Sequence, residues 1–311
     1  MSISEFELIQ RYFSKQLSST HINKLGVGDD CALMSVPKGY ELVITTDTMV
    51  EGVHFFSAAD SKKLGHKLLS VNLSDLAAMG AEPVSVTLAL TLPEVDENWL
   101  QGFSEGFLNL AKLFSIDLIG GDTTSGHLTL TVQAFGLVPE NQALLRSSAK
   151  EGDFIFVTGF LGDAGLGLKI EQGYNCSSPD KSLKQFHQPM PRVQEGLAIR
   201  NAANACIDLS DGIVSDLKHI LKQSSVGARL DWHKLPLSAE VEEYIQLTDD
   251  WLMPLSAGED YELCFTVSPD KVDLIEIDCT QIGVIEKQAG LRMNRFGVTE
   301  ELVGKGYEHF S

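Results

Sequence analysis

Four short segments of this chain set an aspartate beside glycine, serine or threonine: Gly28-Asp29-Asp30, Thr45-Thr46-Asp47-Thr48, Asn72-Leu73-Ser74-Asp75 and Gly120-Gly121-Asp122-Thr123-Thr124. Carboxylates among small residues are the donors Mg2+ takes, its shell being completed by phosphate oxygens and water. Thr45, Thr46 and Thr48 can add hydroxyl or carbonyl oxygens. Any one such Asp is accounted for by Asx-turn or N-cap chemistry, but four segments in one half of the chain point to a shared cation. Asp75 sharpens the point, because it falls in an apolar-periodic run with Leu64, Leu68 and Val71. An acid on a mostly apolar helix is unfavourable unless a cation meets it. The expectation is that the four segments fold together around magnesium and a nucleotide phosphate tail.

The second half offers Asp208, Ser210, Asp211 and Asp216 as an extension of that cluster, with Asp211 as a simple helix starter the plainer alternative. Arg146 is a candidate phosphate clamp, against the default of a surface arginine. A lone His such as His54 is more often structural than functional, and Lys67 could pair with a phosphate or with a nearby Asp. No GxxxxGK[ST] run is present, and the spacing of Gly162, Gly165 and Gly167 is wrong for a dinucleotide fingerprint. No Ser/His/Asp order or Cys–His pattern suggests covalent catalysis. Carboxylates, metal and one or two cations are instead the parts of phosphoryl transfer.

The elements that must carry these groups follow from periodicity. Met1 to Leu17 reads as an amphipathic helix opened by a Ser4–Glu7 capping box, with Phe6, Ile9, Phe13 and Leu17 on one face. Glu41–Thr46 reads as a strand that delivers Asp47 at its C-terminal end. Ser61 opens the helix that carries Asp75 and stops at Gly80. Pro83–Leu92 alternates as a strand, and Asp96 starts a second helix to about Phe114 with Leu100, Phe103, Phe107, Leu110 and Ala111 on one side. Asp117–Ile119 reads as a short strand ending in the Gly120-Gly121-Asp122 turn, and Leu128–Val138 as the last strand of the first half. This β-α-β-α-β-β order suggests an α/β (α+β) sandwich with a mixed sheet.

A polar stretch at 139–152 marks a boundary. Beyond it come strand Phe154–Thr158, a helix growing out of Gly159–Gly167, a break at Gln188–Pro191 and a helix from Arg192 to about Ala203. A short strand then runs into Asp208-Leu209-Ser210-Asp211-Gly212, followed by helix Asp211–Leu221. The acidic turn Ser256–Asp260 leads to strand Tyr261–Val267, and strand Gln281–Glu286 precedes a hairpin-like tail. Asn72-Leu73-Ser74-Asp75 is echoed by Asp208-Leu209-Ser210-Asp211.

A formal charge of −19 over 311 residues argues against nucleic-acid or anionic-membrane partners, since phosphate backbones recruit basic surfaces. Five scattered cysteines without a CxxC pair favour neither disulfides nor zinc and fit a reducing cytoplasm. The N-terminus does not read as a signal peptide, and no apolar run approaches the roughly 20 residues of a membrane span.

Taken in order, Gly28-Asp29-Asp30, Thr45 to Phe55, Asn72 to Ala81, Gly120 to Thr123, Asp208 to Gly212 and Gly258-Glu259-Asp260-Tyr261-Glu262-Leu263 resemble the thiamine-monophosphate kinase family. The wider superfamily is the PurM-like one, named for aminoimidazole ribonucleotide synthetase. The resemblance implies a two-domain PurM-like fold, with residues 1–145 forming the ATP/Mg-binding and dimerisation domain and 146–311 completing the active site. It implies transfer of the ATP γ-phosphate to thiamine monophosphate by direct in-line attack, with several Mg2+ ions and ATP as co-substrate. It further implies a homodimer whose N-terminal sheets meet in a barrel-like interface.

By the same resemblance Asp30, Thr45, Thr46, Asp47, Asp75, Asp122, Asp208 and Asp211 are metal ligands, with Asp75, Asp122 and Asp211 assisting the transfer. Gly121, Asp122, Arg146 and Ser210 meet ATP. His54, Glu259 and Tyr307 meet the thiamine substrate. Cys31 stands where the family usually has Ala, and Ser256-Ala257-Gly258 replaces a more glycine-rich turn. Selenophosphate synthetase would want a reactive Cys near its N-terminus, and the hydrogenase-maturation protein a C-terminal Cys; the first Cys is Cys31 and the chain ends at Ser311. A Ca2+-buffering protein would want a DxDxDG loop, which is absent.

Overall fold

The computed structural model describes residues 5–13 and 22–302. The described residues divide into two compact units, one falling within 1–76 and 81–141 and the other within 77–80 and 142–311. Ser4, Leu17 and Tyr307 lie outside the described residues, so the expected capping box, the far end of the first helix and one substrate contact have no structural counterpart below.

The first unit runs α1 (Glu5–Tyr12), β1 (Asn23–Leu25), β2 (Leu33–Met34), β3 (Tyr40–Val50), α2 (Ser61–Ala78), β4 (Glu82–Leu92), α3 (Glu97–Leu113), β5 (Asp117–Ser125) and β6 (Thr129–Pro139). Its main sheet has the order β3-β6-β4-β5. The β3/β6 and β6/β4 pairs are antiparallel, while β4/β5 is parallel. A parallel pair needs a crossover, and α3 supplies it. Asp96 caps α3, accepting the N–H groups of Asn98 and Trp99 at 2.8 and 3.2 Å. The apolar stripe read from the sequence is the buried one, with Leu100, Phe103 and Phe107 fully enclosed.

α2 is buried almost all round, as its low amphipathicity requires. It packs so closely on α3 that an added Cβ at Gly65 would strike the Phe103 backbone and one at Gly106 the Lys62 backbone.

Two strand expectations need correcting. β3 does not end at Asp47 but continues to Val50, so Asp47 sits inside the ladder opposite Val132. The Gly120-Gly121-Asp122 segment is not a turn. It belongs to β5, after a bulge at Ile119 that resets the pairing from Val86–Leu118 to Thr87–Gly120. Glycine looked like a turn signal, whereas here it allows close approach: a Cβ on Gly121 would overlap the Leu88 carbonyl.

The second unit comprises β7 (Phe154–Val157), α4 (Asp163–Glu171), α5 (Asp180–His187), α6 (Val193–Ile199), β8 (Ala203–Asp208), α7 (Ile213–Ser224), β9 (Gly227–Asp231), α8 (Ala239–Thr248), α9 (Met253–Ser256), β10 (Leu263–Val267), β11 (Thr280–Glu286), β12 (Gly290–Arg295) and β13 (Val298–Glu301). Its sheet has seven strands in the order β13-β12-β9-β11-β7-β10-β8. The helix from Arg192 stops at Ile199, because Ala203 already opens β8. The hairpin-like tail is β12–β13, turned by Phe296-Gly297. The core joins α7 to the sheet through Ile213, Leu217 and Ile220 against Ile155, Val157 and Ile207.

The echoed tetrapeptide has no structural echo. Asn72–Asp75 is helical, whereas Leu209–Asp211 forms the turn between β8 and α7.

Candidate active site

Strand pleating decides which residues of β3 can meet. Thr45 and Asp47 are half-buried and turn toward α2, while Thr46 and Thr48 are exposed on the opposite face. There Thr46 accepts a hydrogen bond from the Gln133 amide at 3.3 Å, and the Thr48 and Thr131 hydroxyls pair at 2.9 Å. On the inner face the Thr45 hydroxyl donates to Asp75 Oδ2, and the Asp47 N–H donates to Asn72 Oδ1 at 3.2 Å. Asp47 and Asp75 therefore share one half-buried place. Burial, and then the charge of Asp75, pushes the Asp47 carboxyl up to about 7 from its usual 3.8.

A second group lines a cavity of about 900 Å³ in the same unit. Asp29, Asp30 and Cys31 come from the turn after β1, Gly120, Gly121 and Asp122 from bulged β5, and Ile9 and Phe13 from the N-terminal segment. Asp122 is exposed and shares a cross-strand row with Ala89, Thr131 and Thr48, so it occupies the face opposite to Asp47. The four acidic segments thus form two groups within the first unit, Asp47 with Asp75 and Asp29–Asp30 with Asp122. His54 Nδ1 accepts the Val50 N–H at 3.0 Å, so a neutral ring carries its proton on Nε2.

The second unit assembles its own acidic site. Asp208 ends β8, and three backbone hydrogen bonds join the 209–210 turn to the 259–262 turn. Leu209 donates to Glu262 (2.9 Å), Glu259 to Ser210 (2.8 Å) and Tyr261 to Leu209 (2.9 Å). Ser210, Asp211 and Glu259 are brought together this way. Asp216, buried on α7, accepts the Asp211 N–H at 3.0 Å. Burial, then the charge of Asp208, pushes Asp216 up to about 8, while Arg146 draws it down. Arg146 is thus within electrostatic reach of this cluster.

Glu259 and Tyr261 adopt φ of 60° and 48°, an unfavourable region for side-chain-bearing residues. The turn is held from beneath. Asp260 accepts N–H groups from Gly162 (2.8 Å) and Ala164 (3.2 Å), and Gln185 donates to its carbonyl at 2.7 Å. Burial pushes Asp260 up to about 8. Buried Glu262 takes a bidentate Arg192 pair, 2.6 Å on each arm, and the Thr158 hydroxyl at 2.6 Å.

Sequence reading quoted Asp260 and Glu262 in a motif and Arg192 as a helix start, but gave none of the three a role in supporting this turn. It also gave Asn72 no role, although its i,i+3 spacing from Asp75 was a signal.

The donor set fits a divalent cation of the magnesium type. Among the described residues no three His, Cys, Asp or Glu side chains converge to hold an ion alone. Mg2+ is ordinarily held by one or two carboxylates, the rest of its shell coming from substrate phosphates and water. Two neighbouring carboxylates, Asp75 raising the proton affinity of Asp47, with a threonine alongside, meet that description.

Comparisons with known proteins agree with this chemistry. The family descriptions "AIR synthase related protein, N-terminal domain" and "AIR synthase related protein, C-terminal domain" match residues 28–138 and 150–294. Thiamine-monophosphate kinase of Escherichia coli (strain K12) is 45% identical over 323 aligned residues, covering all of this chain and 99% of that protein. The crystal structure of thiamine-monophosphate kinase from Stenotrophomonas maltophilia K279a matches with a TM-score of 0.83 and 41% identity, covering 89% of this chain and 92% of that one. The structure of AaThiL complexed with AMPPCP and TMP matches with a TM-score of 0.81 and 29% identity over 89% of each chain. Identity of this extent along the whole length places the chain in the thiamine-monophosphate kinase family.

Proposed function

We propose that this chain transfers the γ-phosphate of ATP to thiamine monophosphate, releasing ADP and thiamine diphosphate, by direct in-line attack of a substrate phosphate oxygen. Full-length identity to the thiamine-monophosphate kinases carries the reading. The AaThiL complex, which holds an ATP analogue together with TMP, supports it. Residues 1–145 form the nucleotide- and metal-binding domain, and 146–311 complete the active site. Asp30, Thr45, Thr46, Asp47, Asp75, Asp122, Asp208 and Asp211 supply oxygens to several Mg2+ ions. Gly121, Asp122, Arg146 and Ser210 meet ATP, and His54, Glu259 and Tyr307 meet the thiamine substrate.

When bound, divalent cations neutralise the phosphates that donor and acceptor bring together. The chain's own part is positional. Thr45 orients Asp75, the strained turn presents Glu259, and the bulge at Ile119 lets β5 bring Gly121 against β4. No general base is required, because the attacking phosphate oxygen is already anionic at neutral pH.

The exposed apolar row Tyr40, Leu42 and Ile44 on the outer face of edge strand β3 supports a homodimer built on that sheet. The free cysteines suit the cytoplasm. The deciding assay follows thiamine diphosphate chromatographically after mixing ATP, Mg2+ and thiamine monophosphate, with free thiamine as control. Failure to form product from the monophosphate would refute the reading.

Replacing Gly121 with alanine forces a Cβ onto the Leu88 carbonyl and parts β5 from β4. Strain of about 1–3 kcal/mol borne by the ATP-bound state corresponds to a roughly 5- to 150-fold rise in the KM for ATP. Steady-state kinetics at saturating thiamine monophosphate will read it.

The raised carboxyl of Asp47 gives a pH signature. Its native pKa of about 7 exceeds the ordinary 3.8, so the native state binds this proton more tightly than the unfolded chain does. The associated stability is complete below about pH 4 and is lost as pH rises through 7. Asp216 and Asp260, raised to about 8, act with the same sign. The metal-free protein should therefore lose several degrees of Tm between pH 5 and 8. Mg2+ with AMPPCP should recover much of that at pH 8 and little at pH 5, where Asp47 holds a proton. Scanning calorimetry across this range, with Asp47→Asn as control, checks both halves.

A further inference from the structure

Asn72 is fully buried on α2, one helical turn before Asp75, so the two side chains leave the same face. Both reach β3. Asp75 takes the Thr45 hydroxyl, and Asn72 Oδ1 takes the Asp47 N–H at 3.2 Å. Asn72 Nδ2 donates back to the Leu68 carbonyl at 3.0 Å, within its own helix. These two bonds permit one orientation of the amide, since the flipped form would set donor against donor and acceptor against acceptor.

β3 is an edge strand. On such an edge every second backbone N–H points away from the neighbouring strand and lacks a ladder acceptor. At Asp47 the acceptor is a side chain of α2. Asn72 stands in for a missing strand at one residue, and that residue carries a candidate ligand.

We propose that Asn72 is a positioning residue for the divalent cation. It clamps the Asp47 backbone to α2, so that the Asp47 carboxylate faces that of Asp75, while touching neither phosphate nor cation itself. This rests on the reading that Asp47 and Asp75 hold Mg2+.

The test compares the full-length wild type with Asn72→Ala and Asn72→Asp, using Mn2+ in the presence of AMPPCP. Calorimetry reads the ion's affinity, hydrogen exchange reads the Asp47 amide, and circular dichroism reads the fold. Asn72→Ala should weaken Mn2+ binding about 10- to 100-fold, the loss usual for a group that orients a ligand. Its Asp47 amide should exchange faster. Asn72→Asp retains an acceptor for that amide, so protection should persist and affinity should return to within several-fold of wild type.

Wild-type affinity in folded Asn72→Ala would overturn the proposal. So would Asn72→Asp losing affinity with its Asp47 amide still protected, a comparison that decides the matter even if the alanine variant fails to fold. A wild type that binds Mn2+ yet does not phosphorylate thiamine monophosphate would refute the kinase reading alone.

Discussion

Asp75→Ala is expected to lower thiamine monophosphate turnover by at least about a hundredfold, beyond what loss of an orienting group alone produces, with an unchanged far-ultraviolet circular dichroism spectrum. Asp75 is only half-buried, and its partner Thr45 is accessible enough to exchange the lost acceptor for water. In the metal-free protein its charge works against its neighbour, being the second cause, after burial, of the raised pKa of Asp47. Removing it relieves that repulsion, so Tm should hold steady or rise while Asp47 becomes more acidic. Under the proposed assignment, stability and activity move apart because the two carboxylates serve the cation and contribute little to folding. Steady-state turnover, Mn2+ titration and a thermal melt on one preparation suffice. An unfolded variant, or one with wild-type turnover, would sink the assignment.

Arg192→Met is expected to do the opposite, destabilising the protein by about 3–5 kcal/mol, because it leaves a buried carboxylate without its cation. Glu262 is 3% exposed, and Arg192 meets both of its oxygens at 2.6 Å. Among the described residues the Thr158 hydroxyl would remain on it. A Tm lower by on the order of 10 °C should follow. The Glu262 carbonyl also receives the Leu209 N–H, so the loss should spread to the 208–211 turn and to strained Glu259. Adding Glu262→Gln, which removes the stranded charge, should recover part of the stability. Urea titration of the single and double variants measures both effects. An Arg192→Met protein as stable as wild type would show that the pair carries no weight.

The long periodic elements were legible from the sequence. α3 was readable because Asp96 announces its start and its stripe is unbroken, and α2 because its apolar run ends at a glycine. The errors have local causes. Glycines 120 and 121 read as a turn, yet they sit where one strand passes close to the next, and no single-sequence pattern separates the two uses. Asp47 read as a strand terminus because an aspartate among hydroxyl-bearing neighbours looks like a loop. The ladder with β6 runs on past them because the backbone pairs whatever the side chains are.

The motifs named candidate ligand-binding residues, but not that Asp47 and Asp122 fall on opposite faces of one sheet, which follows only from register. The supports of the Glu259 turn were invisible for another reason. Arg192 and Glu262 lie 70 residues apart, and nothing local marks either as the partner of the other.

The pleat of β3 has a consequence for how this sequence can change over time. Thr45 and Asp47 face α2, Tyr40, Leu42 and Ile44 face outward, and a shift of one residue exchanges the two sets entirely. Substitutions along this strand can accumulate one by one. A single codon gained or lost within it would turn Asp47 to the outside, away from Asp75 on α2, and bring a neighbouring threonine into its place, so this strand should tolerate a change of residue more readily than a change of length.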